Sequence, residues 1–174
     1  DKGYSLYFGG ANQSYHTSVR VAASAFSQAM HFPQDVKVAL SFYLWMETEG
    51  YTGSEKFDTL TVDILEVDTK VRTQVWDSMT TWGSNTDDIF EKVYIDVSAW
   101  TGKDVKLVFT FDSGDGYFNK YEGVYLDKIR VDTACCLSNA DCDHASGVNT
   151  CVTNWCDAAT KMCLFEETCL GCVT

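Results

Sequence analysis

The sequence predicts an all-β chain that ends in a small disulfide-rich module. Three observations lead there: runs of strict two-residue hydrophobic alternation, turn-forming clusters between them, and the confinement of all eight cysteines to the C-terminal end. In the longest run, Val36, Val38, Leu40, Phe42, Leu44 and Met46 alternate with Lys37, Ala39, Ser41, Tyr43, Trp45 and Glu47. That is the period of a strand buried on one face. Leu60, Val62 and Ile64 repeat it against Thr59, Thr61 and Asp63, as do Val93, Ile95 and Val97, and then Val105, Leu107, Phe109 and Phe111. Shorter β-rich runs lie at Tyr4–Phe8, His16–Ala25, Val71–Trp76 and Glu122–Val131.

Turn-rich stretches at Gly9–Asn12, Glu49–Gly53, Gly83–Asn85 and Asp112–Gly116 separate these runs. Ala22–Met30 is the one segment whose alanines would tolerate a helical turn. About eight strands without a long amphipathic helix point to a β-sandwich of jelly-roll type. Cysteine is absent up to Ala134 and then occurs at Cys135, Cys136, Cys142, Cys151, Cys156, Cys163, Cys169 and Cys172. This divides the chain into a sandwich domain over 1–133 and a cysteine-rich module over 134–174.

A segment so short cannot build a sufficient core, and an even cysteine count reads as up to four disulfides that restrict the unfolded chain. Eight cysteines allow 105 connectivities, so the pairing is not legible. Adjacent Cys135 and Cys136 are expected to take different partners, because bonding neighbours strains the peptide between them. Zinc is the competing reading, with Cys169 and Cys172 at CxxC spacing and Cys163 or His144 to complete the set. One zinc would leave most of the thiols unused. Disulfides imply an oxidising compartment, so the chain is expected to be secreted or held at a cell surface.

The chain carries 13 Lys and Arg against 25 Asp and Glu, a net charge of -12. This argues against nucleic-acid binding, which needs basic surface to displace counterions. No apolar run approaches the roughly 20 residues of a membrane-spanning helix, so membrane insertion is not expected. No charged-then-apolar leader opens the sequence, so Asp1 reads as the start of a mature or excised chain. Asn12-Gln13-Ser14 matches a glycosylation sequon, which carries no meaning in a bacterial protein.

Acidic residues suggest a hard-cation site. In the last strand Tyr125, Asp127, Ile129 and Val131 share parity, which would set Asp127 among apolar side chains. Asp58 shares parity with Leu60, Val62 and Ile64. A buried carboxylate is costly without compensation, and a cation or several hydrogen bonds would supply it. Asp112, Asp115, Asn119 and Glu122 offer further oxygens in a glycine-rich loop, a donor set suited to calcium. The competing reading is a solvated acidic loop, with Asp127 hydrogen-bonded to backbone amides.

Tyr43 and Trp45 point opposite to the core-facing residues of their strand, and Trp76, Trp82 and Tyr94 are candidates to join them. Such rings stack on sugar faces when they line a groove; the plainer reading buries them under loops. Catalysis finds little footing. His16, His31 and His144 lie apart, and neither HExxH nor GxSxG occurs. Acidic pairs alone do not make a glycosidase.

Three segments carry a resemblance. They are Ser5-Leu6-Tyr7-Phe8-Gly9; Ala39–Trp45 followed by Phe57–Val62; and Phe111–Gly116 with Asn119 and Glu122–Asp127. Together they resemble the MAM-like jelly-roll domains of secreted bacterial proteases and surface proteins. That resemblance implies a non-catalytic module that binds sugars or proteins and holds a structural calcium. The family's second acidic residue after Asp127 is Lys128 here, which lowers the local negative charge. Asn139–Asp143, Asn149–Cys151 and Cys156–Thr160 resemble cysteine-rich segments of bacterial surface proteins. The expected function is extracellular recognition or adhesion, with a carbohydrate as ligand. The alternative is a protein–protein part of a surface assembly, or the accessory domain of a secreted protease.

Overall fold

The computed structural model describes residues 5–9, 15, 18–34, 36–49, 51–52, 55–81, 83, 85–134, 152–156 and 163–167; at 51–52, 55–56, 81, 134, 152–156 and 163–167 the description is of the backbone. In chain order the strands are β1 (Leu6–Phe8), β2 (Ala22–Phe26), β3 (Met30–His31), β4 (Lys37–Glu47), β5 (Tyr51–Thr52), β6 (Glu55–Lys56), β7 (Thr59–Glu66), β8 (Arg72–Asp77), β9 (Glu91–Asp96), β10 (Asp104–Asp112), β11 (Gly123–Ala134), β12 (Val152–Cys156) and β13 (Cys163–Glu167). A single helical turn, α1 (Ser78–Thr81), follows β8, and a short 3₁₀ turn (Ser98–Trp100) follows β9.

Two antiparallel sheets result. The first has the order β1–β11–β4–β9; the second has β2–β10–β7–β8, with β3 also on β10. The alternation read from the sequence sets their inner faces. Val38, Leu40, Phe42, Leu44 and Met46 of β4 meet Leu60, Val62 and Ile64 of β7 and Leu107, Phe109 and Phe111 of β10 in one buried cluster. Phe42 ties the sheets together by edge-on contacts to Trp76 at 5.7 Å and Phe109 at 5.6 Å. Each such aromatic pair adds about 0.5–1.5 kcal/mol beyond the area it buries. Ala22–Met30 holds no helical turn: Ala22–Phe26 pairs along β10, residues 27–29 connect, and Met30 opposes Val105. Backbone pairing to an existing sheet outweighs the modest helix preference of alanine.

The parity expected of the last strand holds for only part of its length. Asp127 opposes Tyr43, but the next aligned pair is Arg130 with Ser41, so β11 carries one extra residue between them. Lys128, at φ 49°, sits in this bulge. A bulge resets which residues face which side. Val124, Leu126 and Val131 therefore turn inward, while Tyr125, Asp127, Arg130 and Asp132 share the outer face with Trp45, Tyr43, Ser41 and Ala39. Asp127 is thus not set among core side chains. It is half-buried on the outside, its carboxylate accepting the Lys128 N–H at 2.7 Å.

β5–β6 is a hairpin within the turn-rich stretch after β4, and β12–β13 is a hairpin in the cysteine-rich part whose register opposes positions 156 and 163. Cys135, Cys136, Cys142, Cys151, Cys169 and Cys172 lie outside the described residues, as does Trp82, and only the backbone is described at Cys156 and Cys163.

Candidate functional site

Tyr43 and Trp45, two residues apart on β4, both face outward on the first sheet, as their parity requires. Their surroundings differ. Tyr43 belongs to a concavity of about 300 Å³ lined by Ser41, Tyr43, Lys92, Tyr94, Lys128, Arg130 and Asp132. The Lys92 ammonium lies 4.5 Å from the Tyr94 ring centroid and 5.8 Å from that of Tyr43, and the Lys128 ammonium lies 5.1 Å from Tyr43. These are cation–π distances. A hydrogen bond to Tyr94 holds Lys92 above the usual lysine range, so it stays charged. Ion pairs join Arg20 to Asp112, Arg72 to Asp63 and Lys103 to Glu66; Lys92, Lys128 and Arg130 are in none with a described carboxylate.

Trp45 belongs to a neighbouring concavity of about 320 Å³ with Phe90, Glu122 and Tyr125. Tyr125 stacks on Tyr7 with centroids 4.4 Å apart and meets the Trp45 ring edge-on at 5.4 Å. The Tyr7 hydroxyl donates to the Glu122 carbonyl and the Tyr125 hydroxyl to Glu122 Oε1, each at 2.8 Å. Burial pushes both phenols up from the usual tyrosine value, and Glu122 adds to the rise. They remain neutral hydroxyls. Tyr7 and Phe90 were not expected here; Tyr7 becomes legible only when β1 is seen to pair with β11, opposite Tyr125. Trp76 is elsewhere, packed between the sheets against Phe42.

The acidic candidates separate as well. Asp112 is held in a two-pronged pair by Arg20, with Nε donating at 2.7 Å to Oδ1 and Nη2 donating to Oδ2. Its carboxyl is pulled below the usual range by that pair. Glu122 serves the aromatic row, and Asp127 lies on the outer face.

Asp58 is fully buried at φ 55°, an αL conformation that Asp tolerates better than most residues. Its Oδ2 accepts the Tyr15 hydroxyl and, at 2.6 Å, the Glu49 N–H, while Oδ1 has no partner. Burial pushes this carboxyl up, against those two hydrogen bonds, and Asp115 and Asp112 raise it further. Glu49 is pushed up by burial and then by Asp58 and Asp115, and its Oε2 is also without a partner. The third orphaned oxygen among the described residues is Asn119 Oδ1; its Nδ2 donates to the Asp115 carbonyl at 3.0 Å and to that of Val19 at 3.2 Å.

These groups occupy one end of the sandwich, because β10 leaves its pairing at Asp112 opposite Thr59 and β11 begins at Gly123 opposite Glu47. Other buried polar groups are satisfied: the hydroxyls of Thr86, Ser78 and Ser113 accept the amides of Met46, Leu60 and Val21. Among the described residues no three His, Cys, Asp or Glu side chains converge. The donor set at this end is therefore two carboxylates and an amide oxygen, with Asp115 close enough to act on both acids. Glu49 lacked any sequence signal beyond its place in a turn before Asp58.

No protein-family model and no curated protein matches this chain.

Proposed function

We propose that this chain is a non-catalytic extracellular recognition module of MAM-like jelly-roll type, binding carbohydrate through the outer face of its first sheet. The observation that carries the reading is the row Tyr7, Tyr125 and Trp45, stacked and edge-on, beside the Glu122 carboxylate in a shallow concavity. Sugar recognition uses this combination: apolar ring faces pack against aromatic rings, while hydroxyls bond to nearby fixed polar groups. Eight cysteines, read as disulfides, support a secreted or surface location.

A calcium ion at the buried acidic end belongs to the same proposal. Asp58, Glu49 and Asn119 would hold it, with backbone carbonyls completing the oxygen shell and Asp115 adding negative charge nearby. A cation there would offset carboxylates whose charge burial otherwise disfavours. It would fix the loop between β10 and β11, from which Glu122 reaches the aromatic row.

The test is a panel of immobilised neutral and acidic oligosaccharides, with Trp45→Ala as control. The expected result is binding that Trp45→Ala weakens at least about tenfold, the loss of a stacked aromatic contact. Absence of binding to every glycan would rule the reading out and leave the protein–protein alternative.

A further inference from the structure

We infer that the concavity beside Tyr43 selects an acidic saccharide, one whose ring carries a carboxylate, over its neutral counterpart. The inference rests on the proposed carbohydrate-binding reading and narrows it.

The charge distribution carries it. In a chain of net charge -12, Lys92, Lys128 and Arg130 meet in one concavity against the single carboxylate of Asp132. None of the three is in an ion pair with a described carboxylate, although acids outnumber bases about two to one. Arg130 lies near enough to Lys92 to oppose its protonation. Three like charges held together against one carboxylate repel, and an arriving anion relieves that repulsion.

Backbone geometry builds the cluster. Without the bulge after Asp127, position 129 would oppose Ser41; with it, Arg130 does, and its guanidinium joins the outer face. Bulges commonly re-aim side chains beside binding sites. The two lysines are fixed on the Tyr43 and Tyr94 rings by cation–π contact. Tyr43 thereby acts as the support of a cationic socket more than as a stacking platform. A guanidinium presents a planar fork that matches a carboxylate.

The ligand is a sugar acid and not a dense polyanion. Trp45 lies two residues along β4 from Tyr43, roughly 7 Å away. A saccharide chain along this strand would set one ring on the aromatic row and a carboxylate in the socket. A polymer charged at every unit would extend over the surrounding acidic surface, with repulsion reaching about 8 Å at physiological salt.

The experiment titrates the intact protein with a uronate-bearing oligosaccharide, its methyl ester, a sulfated neutral oligosaccharide and a short oligonucleotide. A triple variant, Lys92→Met, Lys128→Met and Arg130→Gln, is titrated alongside. The acid is expected to bind at least about tenfold tighter than the ester, and the variant to lose that margin while still binding the ester. Equal affinity for acid and ester overturns the inference but leaves sugar binding at Trp45 standing; binding of neither overturns both. Retention of the margin by the triple variant overturns the socket. Binding of the sulfated sugar without the uronate overturns the carboxylate assignment, and tighter binding of a short oligonucleotide than of the uronate overturns the saccharide.

Discussion

The two outer faces of the sandwich are built from the same alternating pattern and reach opposite electrostatic outcomes. On the second sheet, Arg72 bonds the buried Asp63 carboxylate at 2.6 Å and the Thr110 hydroxyl at 2.7 Å, and Thr110 meets Ser24 at 2.8 Å. At its edges Lys103 pairs with Glu66 and Arg20 with Asp112. Arg72, Lys103 and Arg20 each meet a carboxylate there. On the first sheet, two lysines lie over tyrosine rings with Arg130 in the same concavity, and an aromatic row stands beside them. Polar groups that satisfy one another hold a fold together, and those the fold leaves unmatched are free for a ligand.

The largest test asks whether both faces belong to one cooperative unit. Phe42→Ala removes a fully buried ring touching Trp76 and Phe109 and should cost about 3–5 kcal/mol in denaturant unfolding. Fluorescence and circular dichroism should move in one transition; two separate transitions would break the comparison into two independent layers.

The acidic end comes next. Saturating calcium, at about a hundred times its dissociation constant, should stabilise the protein by about 2.7 kcal/mol. Asp58→Asn should remove that increment while raising the melting temperature of the cation-free protein at neutral pH. The sign follows from the raised Asp58 carboxyl. Between its unfolded value, near 3.9, and its higher folded value, the native state holds more protons, so cation-free stability falls as pH rises through that window. Asp112 behaves oppositely. Its lowered value contributes stability above about 3.9 that is lost as pH falls through the folded value. A cation-free melting curve that does not change between pH 4 and neutrality would contradict the Asp58 argument.

A smaller pair of effects sharpens the contrast between faces directly. Arg72→Met strands the Asp63 carboxylate and should cost about 1–2 kcal/mol without touching sugar affinity. Arg130→Gln breaks no ion pair with a described carboxylate and should change stability by no more than about 0.5 kcal/mol while lowering affinity for an acidic sugar. Reversed outcomes would mean that the second sheet's face is the binding surface.

Much of the fold was legible, because a period of two with one apolar face specifies a half-buried strand almost irrespective of context. β4, β7 and β10 lie within a few residues of their sequence readings. The bulge in β11 was not legible: nothing in Asp127-Lys128-Ile129-Arg130 announces an extra residue, since Lys at positive φ carries no signature. That single residue broke the parity that grouped Asp127 with Val131 and set Arg130, not Ile129, opposite Ser41 on the outer face. Asp58 was found by parity alone, but Glu49 joined it through a backbone N–H, which the sequence pattern cannot reveal. Trp76 failed as a surface ring because the register of β8 shifts beside Val62 and turns the indole toward Phe42.

The most direct measurement is a residue-resolved NMR titration of the calcium-loaded protein with a uronate-bearing oligosaccharide. Amide shifts are expected to be confined to Ser41–Trp45, Lys92–Tyr94 and Tyr125–Arg130, saturating together with one affinity. Shifts centred on Ser24, Asp63, Arg72 and Thr110 of the opposite face, or none at all, would contradict it.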